Sequence, residues 1–314
     1  MSLFGSFRFG AGPLSGSKEE KMPAQSIYDG KRDGLYRDRE KEFMIHREVR
    51  SKSMTNAHYH PYYEIFYVAN GSCRMFVEHS LFSVSAGEMV VLPPSTLHRT
   101  QYDRDAPVER TTVSFTPRFV EGARSVVGER IFGEALSLGK TAFAGRERDK
   151  AEGALSRLLA EEGTDEDFAD ALRKAVLSEL LVLAARNAGK GERKEEPVDE
   201  TEANIQKAAK HIFERYSDDI TLKDASSVAG MSETYFSRKF KEVTGFGFKE
   251  YLTNIRMQHA VQMLSAGDLS VTQIAAACGF PDANYFGDTF RKRTGLSPRD
   301  FRKKRKAEKC VIIV

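Results

Sequence analysis

The 314-residue sequence has no tryptophan, only three cysteines and ten prolines. Thiols scattered at Cys73, Cys278 and Cys310 cannot form a disulfide framework or a zinc knuckle, and they suit a reducing compartment. The longest apolar run, around Leu180–Ala185, falls far short of the ~20 residues that a membrane-spanning helix needs. The first 25 residues are rich in Gly and Ser and contain no signal-peptide core, so residues 1–30 read as a disordered leader in which Met22 offers an alternative start. Cys310 stands fifth from the end, which excludes a prenylation box. Together these absences predict a soluble, cytoplasmic protein with no membrane partner.

What is present is unevenly distributed. The net charge is +3, but Thr201–Val314 holds 19 Lys and Arg against 13 Asp and Glu, while the remainder holds 29 against 32. A basic back half suggests an anionic partner for that half, although a solvated basic surface has the same composition.

Three textures follow one another. Between Glu42 and Thr116, short β-rich runs (Glu64–Ala69, Cys73–Glu78, Met89–Leu92, Arg110–Phe115) alternate with turns, which suggests a barrel or sandwich. Asn70-Gly71 predicts a hairpin between the first two runs. From Phe119 to Asn187 the texture is helical, with one stripe at Ala154, Leu155, Leu158 and Leu159. A second stripe, Leu172, Val176, Leu180 and Leu183, needs an apolar surface: a second copy of the chain, giving a homodimer, or its own barrel. AGKGERKEEP (residues 188–197) reads as a linker. The boundaries expected are 31–118 for the barrel, 119–188 for a helical dimerisation or support segment, 189–204 for the linker, 205–304 for an all-α domain and 305–314 for a basic tail.

The all-α part contains a degenerate repeat. LKDASSVAGMSETYFSRKFKEVTG (222–245) and VTQIAAACGFPDANYFGDTFRKRTG (271–295) share Y-F-x-x-x-F-[KR]-x-x-T-G at an offset of 50, with an upstream Gly-apolar pair at an offset of 49. The one residue by which the second copy is longer falls in the turn, where an insertion is easily accommodated. Each copy reads as helix, glycine turn and second helix, with Ser232 and Asp282 as N-caps. Phe236 with Phe240, and Phe286 with Phe290, are four apart and define buried faces. The outward sets are Thr234, Ser237, Arg238 and Lys241 in the first copy, and Ala283, Asn284, Gly287, Asp288 and Arg291 in the second. This is helix-turn-helix geometry, whose second helix enters the major groove of double-stranded DNA. A long helix predicted over Phe246–Ser265 joins the units and would hold the two reading helices about one DNA turn (~34 Å) apart. The basic run Arg302–Lys306 suits phosphate contact or plain solvation.

The segment Thr201–Lys304, and above all GFPDANYFGDTFRKRTGLSPRDFRK, resembles the DNA-binding domain of AraC/XylS-type transcription regulators. The resemblance implies base-reading roles for Thr234, Ser237 and Arg238, and for Ala283, Asn284 and Asp288, with Tyr285 close to DNA. Asp288 departs from members that carry a cation there; it would repel phosphate but accept a hydrogen bond from cytosine N4. RNA polymerase is a further partner that the resemblance implies.

In the β-rich half, His58-Tyr59-His60-Pro61-Tyr62-Tyr63-Glu64 gives H-x-H-x3-E, and His98 follows downstream. Strand alternation points His58 and His60 to one side. Three imidazoles and a carboxylate suit a divalent transition metal (Fe, Mn, Ni or Zn), a metal-free polar effector pocket, or mutual hydrogen bonding within the fold. The pattern resembles the two motifs of the cupin barrel over Glu42–Thr116, with all four ligand positions filled but Ser95 where Gly is usual and Tyr102 where Asn is usual. Cupins fused to AraC-type domains resemble sugar sensors, so the resemblance implies a carbohydrate or related metabolite as effector. Tyr59, Tyr62, Tyr63, Phe66 and Tyr67 would then be core, rim or stacking platform. The fold class expected is a two-domain, mixed protein: an N-terminal cupin β-barrel with a helical arm, and a C-terminal all-α double helix-turn-helix domain. The function expected is a ligand-controlled regulator rather than an enzyme. The alternatives are a metal-dependent cupin dioxygenase or isomerase tethered to DNA, and an architectural DNA-binding protein with a vestigial barrel.

Overall fold

The computed structural model describes residues 42–53, 57–103, 105–136, 140–164, 167–189 and 199–310. The leader 1–30, most of the linker and the Val311–Val314 tail lie outside the described residues.

The N-terminal half is built on two antiparallel sheets. Strands β1 (Phe43–Arg50), β7 (Val108–Phe115), β2 (Tyr63–Asn70), β5 (Glu88–Leu92) and β8 (Lys140–Ala142) form one sheet, neighbours in that order. Strands β4 (Ser80–Ser85), β3 (Ser72–Val77) and β6 (His98–Gln101) form the other. Alternation assigns the faces. In β2, Phe66 and Val68 meet Met75 and Val77 of β3 and Val90 and Leu92 of β5 between the sheets. Ile65 and Tyr67 face the opposite way, with Met89, Val91, Val113 and Phe115, into a core shared with helices. The expected barrel is, among the described residues, a two-sheet sandwich rather than one continuous closed ladder.

The Asn70-Gly71 hairpin needs correcting. Among the described residues β2 pairs with β5 and β7, and β3 with β4 and β6, but β2 and β3 do not pair with each other. The turn is real, but it is a corner between sheets. Gly71 has φ +83, and a Cβ there would lie 2.9 Å from Pro107 O, so the chain turns sharply without its two strands pairing.

Helices α1 (Pro117–Val127), α2 (Glu129–Ala135), α3 (Gly145–Ala160) and α4 (Asp167–Asn187) cover the outer face of the five-stranded sheet. Val176, Leu180 and Leu183 of the second stripe are buried there against the chain's own domain, whereas Leu172 remains 51% exposed. Among the described residues, no helix is long and apolar enough to cross a membrane.

The C-terminal half is all-α. Helix α5 (Glu200–Glu214) starts inside the expected linker because the Asp199 side chain accepts the Thr201 N–H and caps it. Helices α6 (Leu222–Val228) and α7 (Glu233–Thr244) form the first unit, and α9 (Val271–Ala277) and α10 (Ala283–Thr294) the second. Helix α8 (Phe248–Ala266) joins them, and α11 (Pro298–Cys310) follows. α8 belongs to both cores: Tyr251, Leu252 and Ile255 pack in the first unit, Met257, Ala260 and Leu264 in the second.

Candidate nucleic-acid interface and buried histidine cluster

Local chemistry fixes each helix-turn-helix unit. The first helices open with capping boxes, Thr221 with Asp224 and Ser270 with Gln273. The second helices are capped where the sequence places the caps: Ser232 accepts the Tyr235 N–H, and Asp282 accepts those of Asn284 and Tyr285. Gly245 and Gly295 end both in the left-handed conformation. Phe236, Phe240, Phe286 and Phe290 are completely buried, which fixes the rotation of each helix about its axis. Thr234, Arg238, Lys241, Asn284, Tyr285, Asp288 and Arg291 are exposed, and Ser237, Ala283 and Gly287 half-exposed. Ala283 also packs against the second core, so little of it is left to present outward. The Arg238 guanidinium lies over the Tyr235 ring at 5.3 Å, folded along the exposed face.

The structure brings His58, His60 and His98 together, with their ligand atoms all within 4.8 Å of one another. His58 and His98 face each other across an antiparallel bridge and exchange backbone hydrogen bonds of 2.9 Å. Val77, the register partner of His98, points into the sandwich, so the imidazoles do as well. Glu64, opposite Leu92 on the other sheet, points toward them and places Oε2 3.1 Å from His60 Nε2. Two sheets thus close on one cluster.

The ring nitrogens are oriented as metal ligands commonly are. Nδ1 of His60 lies 2.9 Å from Tyr62 O, and Nδ1 of His98 lies 2.9 Å from Thr96 O. Donation to those carbonyls leaves each Nε2 as a lone pair. His60 Nε2 and the Glu64 carboxylate are then two acceptors facing each other, which requires a proton or a metal cation between them. His58 Nδ1 is buried with no hydrogen-bond partner among the described residues. The donor set therefore fits a divalent transition metal. Burial, reinforced by the neighbouring imidazoles, pushes His58 well below the usual histidine range and His98 down to about 4, so both are neutral. Burial would raise the Glu64 carboxyl, but the hydrogen bond from His60 and the charge of Arg110 outweigh it and hold the group ionised.

Sequence reasoning missed Arg110. It occupies an inward position of β7, bonds Glu48 at 2.6 Å and lies 5.3 Å over the Phe66 ring. A charge at an inward strand position was the available signal.

Also missed was the seat between the two halves. Ala57, Phe76, Leu81 and Leu97 are buried in the core of the first helix-turn-helix unit. Arg74 forks onto Glu202 of α5 at 2.8 and 2.5 Å, and Arg99 donates to Glu242 O at the end of α7 at 2.6 Å.

Two family models match the chain: an AraC-like ligand binding domain over residues 42–181 and a helix-turn-helix domain over residues 225–304. The HTH-type transcriptional regulator YijO of Escherichia coli K12 is 40% identical over 93 residues, 30% of this chain and 33% of that protein. The HTH-type transcriptional activator RhaS of Enterobacter sp. strain 638 is 31% identical over 148 residues, 47% of this chain and 51% of that protein. The chain thus matches a third and about half of the lengths of these two relatives. Among solved structures, ToxT from Vibrio cholerae aligns with 83% of this chain and 98% of its own at 14% identity and a TM-score of 0.35. The chain thus joins a ligand-binding domain of AraC type to a helix-turn-helix domain, an arrangement consistent with the AraC/XylS-type regulators that its sequence resembles.

Proposed function

We propose that the chain binds duplex DNA at specific sequences through α7 and α10, and that a small ligand held at His58, His60, Glu64 and His98 controls this binding. The observation that carries the reading is the pair of capped, phenylalanine-anchored helices on one shared helix, α8, with outer faces left bare. Arg238 suits bidentate recognition of guanine and Asn284 recognition of adenine; Lys241 and Arg291 suit phosphate. Thr234, Ser237, Ala283, Tyr285 and Asp288 complete the face. The family resemblance implies a carbohydrate effector. However, Phe66, Val68, Met75, Val84, Val90 and Leu92, each at most 1% exposed, fill the space between the sheets, which favours a ligand smaller than a sugar ring.

Homodimerisation through the α1–α4 face, where Leu172 and Val126 stay exposed, and contact with RNA polymerase belong to the same reading. Selection by the full chain from random duplexes tests it. Enrichment of a defined motif is expected, present twice if the chain acts as a dimer. Recovery of no preferred sequence would overturn it.

A further inference from the structure

The segments that carry the imidazoles also carry the seat of both helix-turn-helix units. His58 and His60 face the sandwich interior, so Ala57 and Tyr59, at alternate positions, face outward. Ala57 meets the cap of α7: a Cβ on Gly245 would lie 2.8 Å from Ala57 N. Tyr59 reaches the second unit, where its hydroxyl oxygen accepts a hydrogen bond from the Arg293 guanidinium in the last turn of α10. Arg293 in turn bonds Asn254 of α8. On the facing strand, Arg99, next to His98, holds the end of α7. One step further, Glu78 N–H donates to Leu97 O at 2.7 Å. Glu78 is itself gripped by α8: Tyr251 Oη–H donates to its carbonyl at 2.6 Å and Gln258 Nε2 to its carboxylate at 2.8 Å. A single short ladder thus bears the cluster on its inner side and α7, α8 and α10 on its outer side.

We propose that the cluster takes one divalent transition-metal ion of the zinc class, and that its occupancy sets how both helix-turn-helix units sit on the ligand-binding domain, and hence the affinity for DNA. The proposal rests on the reading of the chain as a DNA-binding regulator and names its ligand and transmission route. Zn–N bonds of about 2.0–2.1 Å place tetrahedral ligand atoms about 3.3 Å apart, a spacing that the three imidazole nitrogens, all within 4.8 Å of one another, can meet with small shifts. Binding would fix the spacing of residues 58–60 and His98, and with it any small shift of those segments, while Glu64 on the other sheet touches the cluster through His60. The interior is close-packed and transmits such a shift, and the outward neighbours Ala57, Tyr59 and Arg99 move with it. Three imidazoles supply the converging ligands, and Glu64, 3.1 Å from His60 Nε2, stands beside them as the nearest carboxylate.

Coupling of this kind is reciprocal: if the ion changes DNA affinity by some factor, DNA changes ion affinity by the same factor. The test uses the full chain stripped with chelator. Titration with Co(II) should give one equivalent and visible d–d bands of tetrahedral intensity. Zn(II) should change affinity for the selected duplex by about 5–150-fold, and the duplex should change Zn(II) affinity equally. His60→Ala should lose the bands. Tyr59→Phe, which leaves every ligand in place, should keep the bands and shrink the coupling factor. Absence of Co(II) binding at micromolar protein would overturn the metal site. Full binding with DNA affinity unchanged within twofold would overturn the transmission. If no duplex is ever selected, the regulator reading fails, while the Co(II) titration still decides the metal site.

Discussion

Phe240→Ala is expected to lower stability by about 3–5 kcal/mol, the range for removing a fully buried aromatic side chain. Phe240 is completely buried, 5.0 Å from the Phe236 ring and edge-on to Tyr251 at 5.2 Å. Tyr251 is the residue that grips Glu78, so the cavity opens at the joint between the halves as well as inside the first unit. Urea denaturation followed by circular dichroism measures the loss; the chain has no tryptophan to report by fluorescence. DNA affinity should fall by a similar factor on every sequence, because the folded unit becomes scarcer while its reading surface is unaltered. A loss below about 1 kcal/mol would mean that this phenylalanine does not anchor the unit.

Arg238→Ala is expected to behave in the opposite way. The side chain is exposed, stacked on Tyr235, and shares no core contact with Phe236 or Phe240. Its removal should leave the denaturation curve unchanged and cost about 1–3 kcal/mol at the selected site. That is roughly five- to 150-fold, with preference relaxed at one or two base pairs. Lys241→Ala should instead weaken all duplexes alike and reduce the slope of log affinity against log salt by about one unit. Affinities on a panel of single-base variants at several salt concentrations separate the two. Unchanged binding of Arg238→Ala to every duplex would contradict the placement of α7 in the major groove.

The contrast between these variants was legible in the sequence because repetition did the reading. A motif that recurs with its caps, turn glycine and phenylalanine pair fixes which face of each helix is buried, and Ser232, Asp282 and the long joining helix all appear within two residues of their expected positions. The histidine cluster was legible for a similar reason, since strand alternation forces His58 and His60 to one side. Pairing between strands was harder to read. Asn70-Gly71 has hairpin chemistry, but turn chemistry is local, and whether β2 continues into its neighbour or crosses to the other sheet depends on distant strands. β8 has three residues inside a helical stretch, too short to show a period. Glu78 and Arg99 look like ordinary surface residues, and Tyr59 is one of several aromatics around the histidine motif; the packing of one half on the other gives their outward groups partners.

Methylation protection of guanine N7 on the selected duplex tests most directly whether one chain reads two major-groove segments. α8 supplies both cores and holds α7 and α10 at a fixed separation, so each bound copy should protect two clusters about 10–10.5 base pairs apart on one face of the helix. A single protected cluster per copy, or two clusters on opposite faces, would contradict the account.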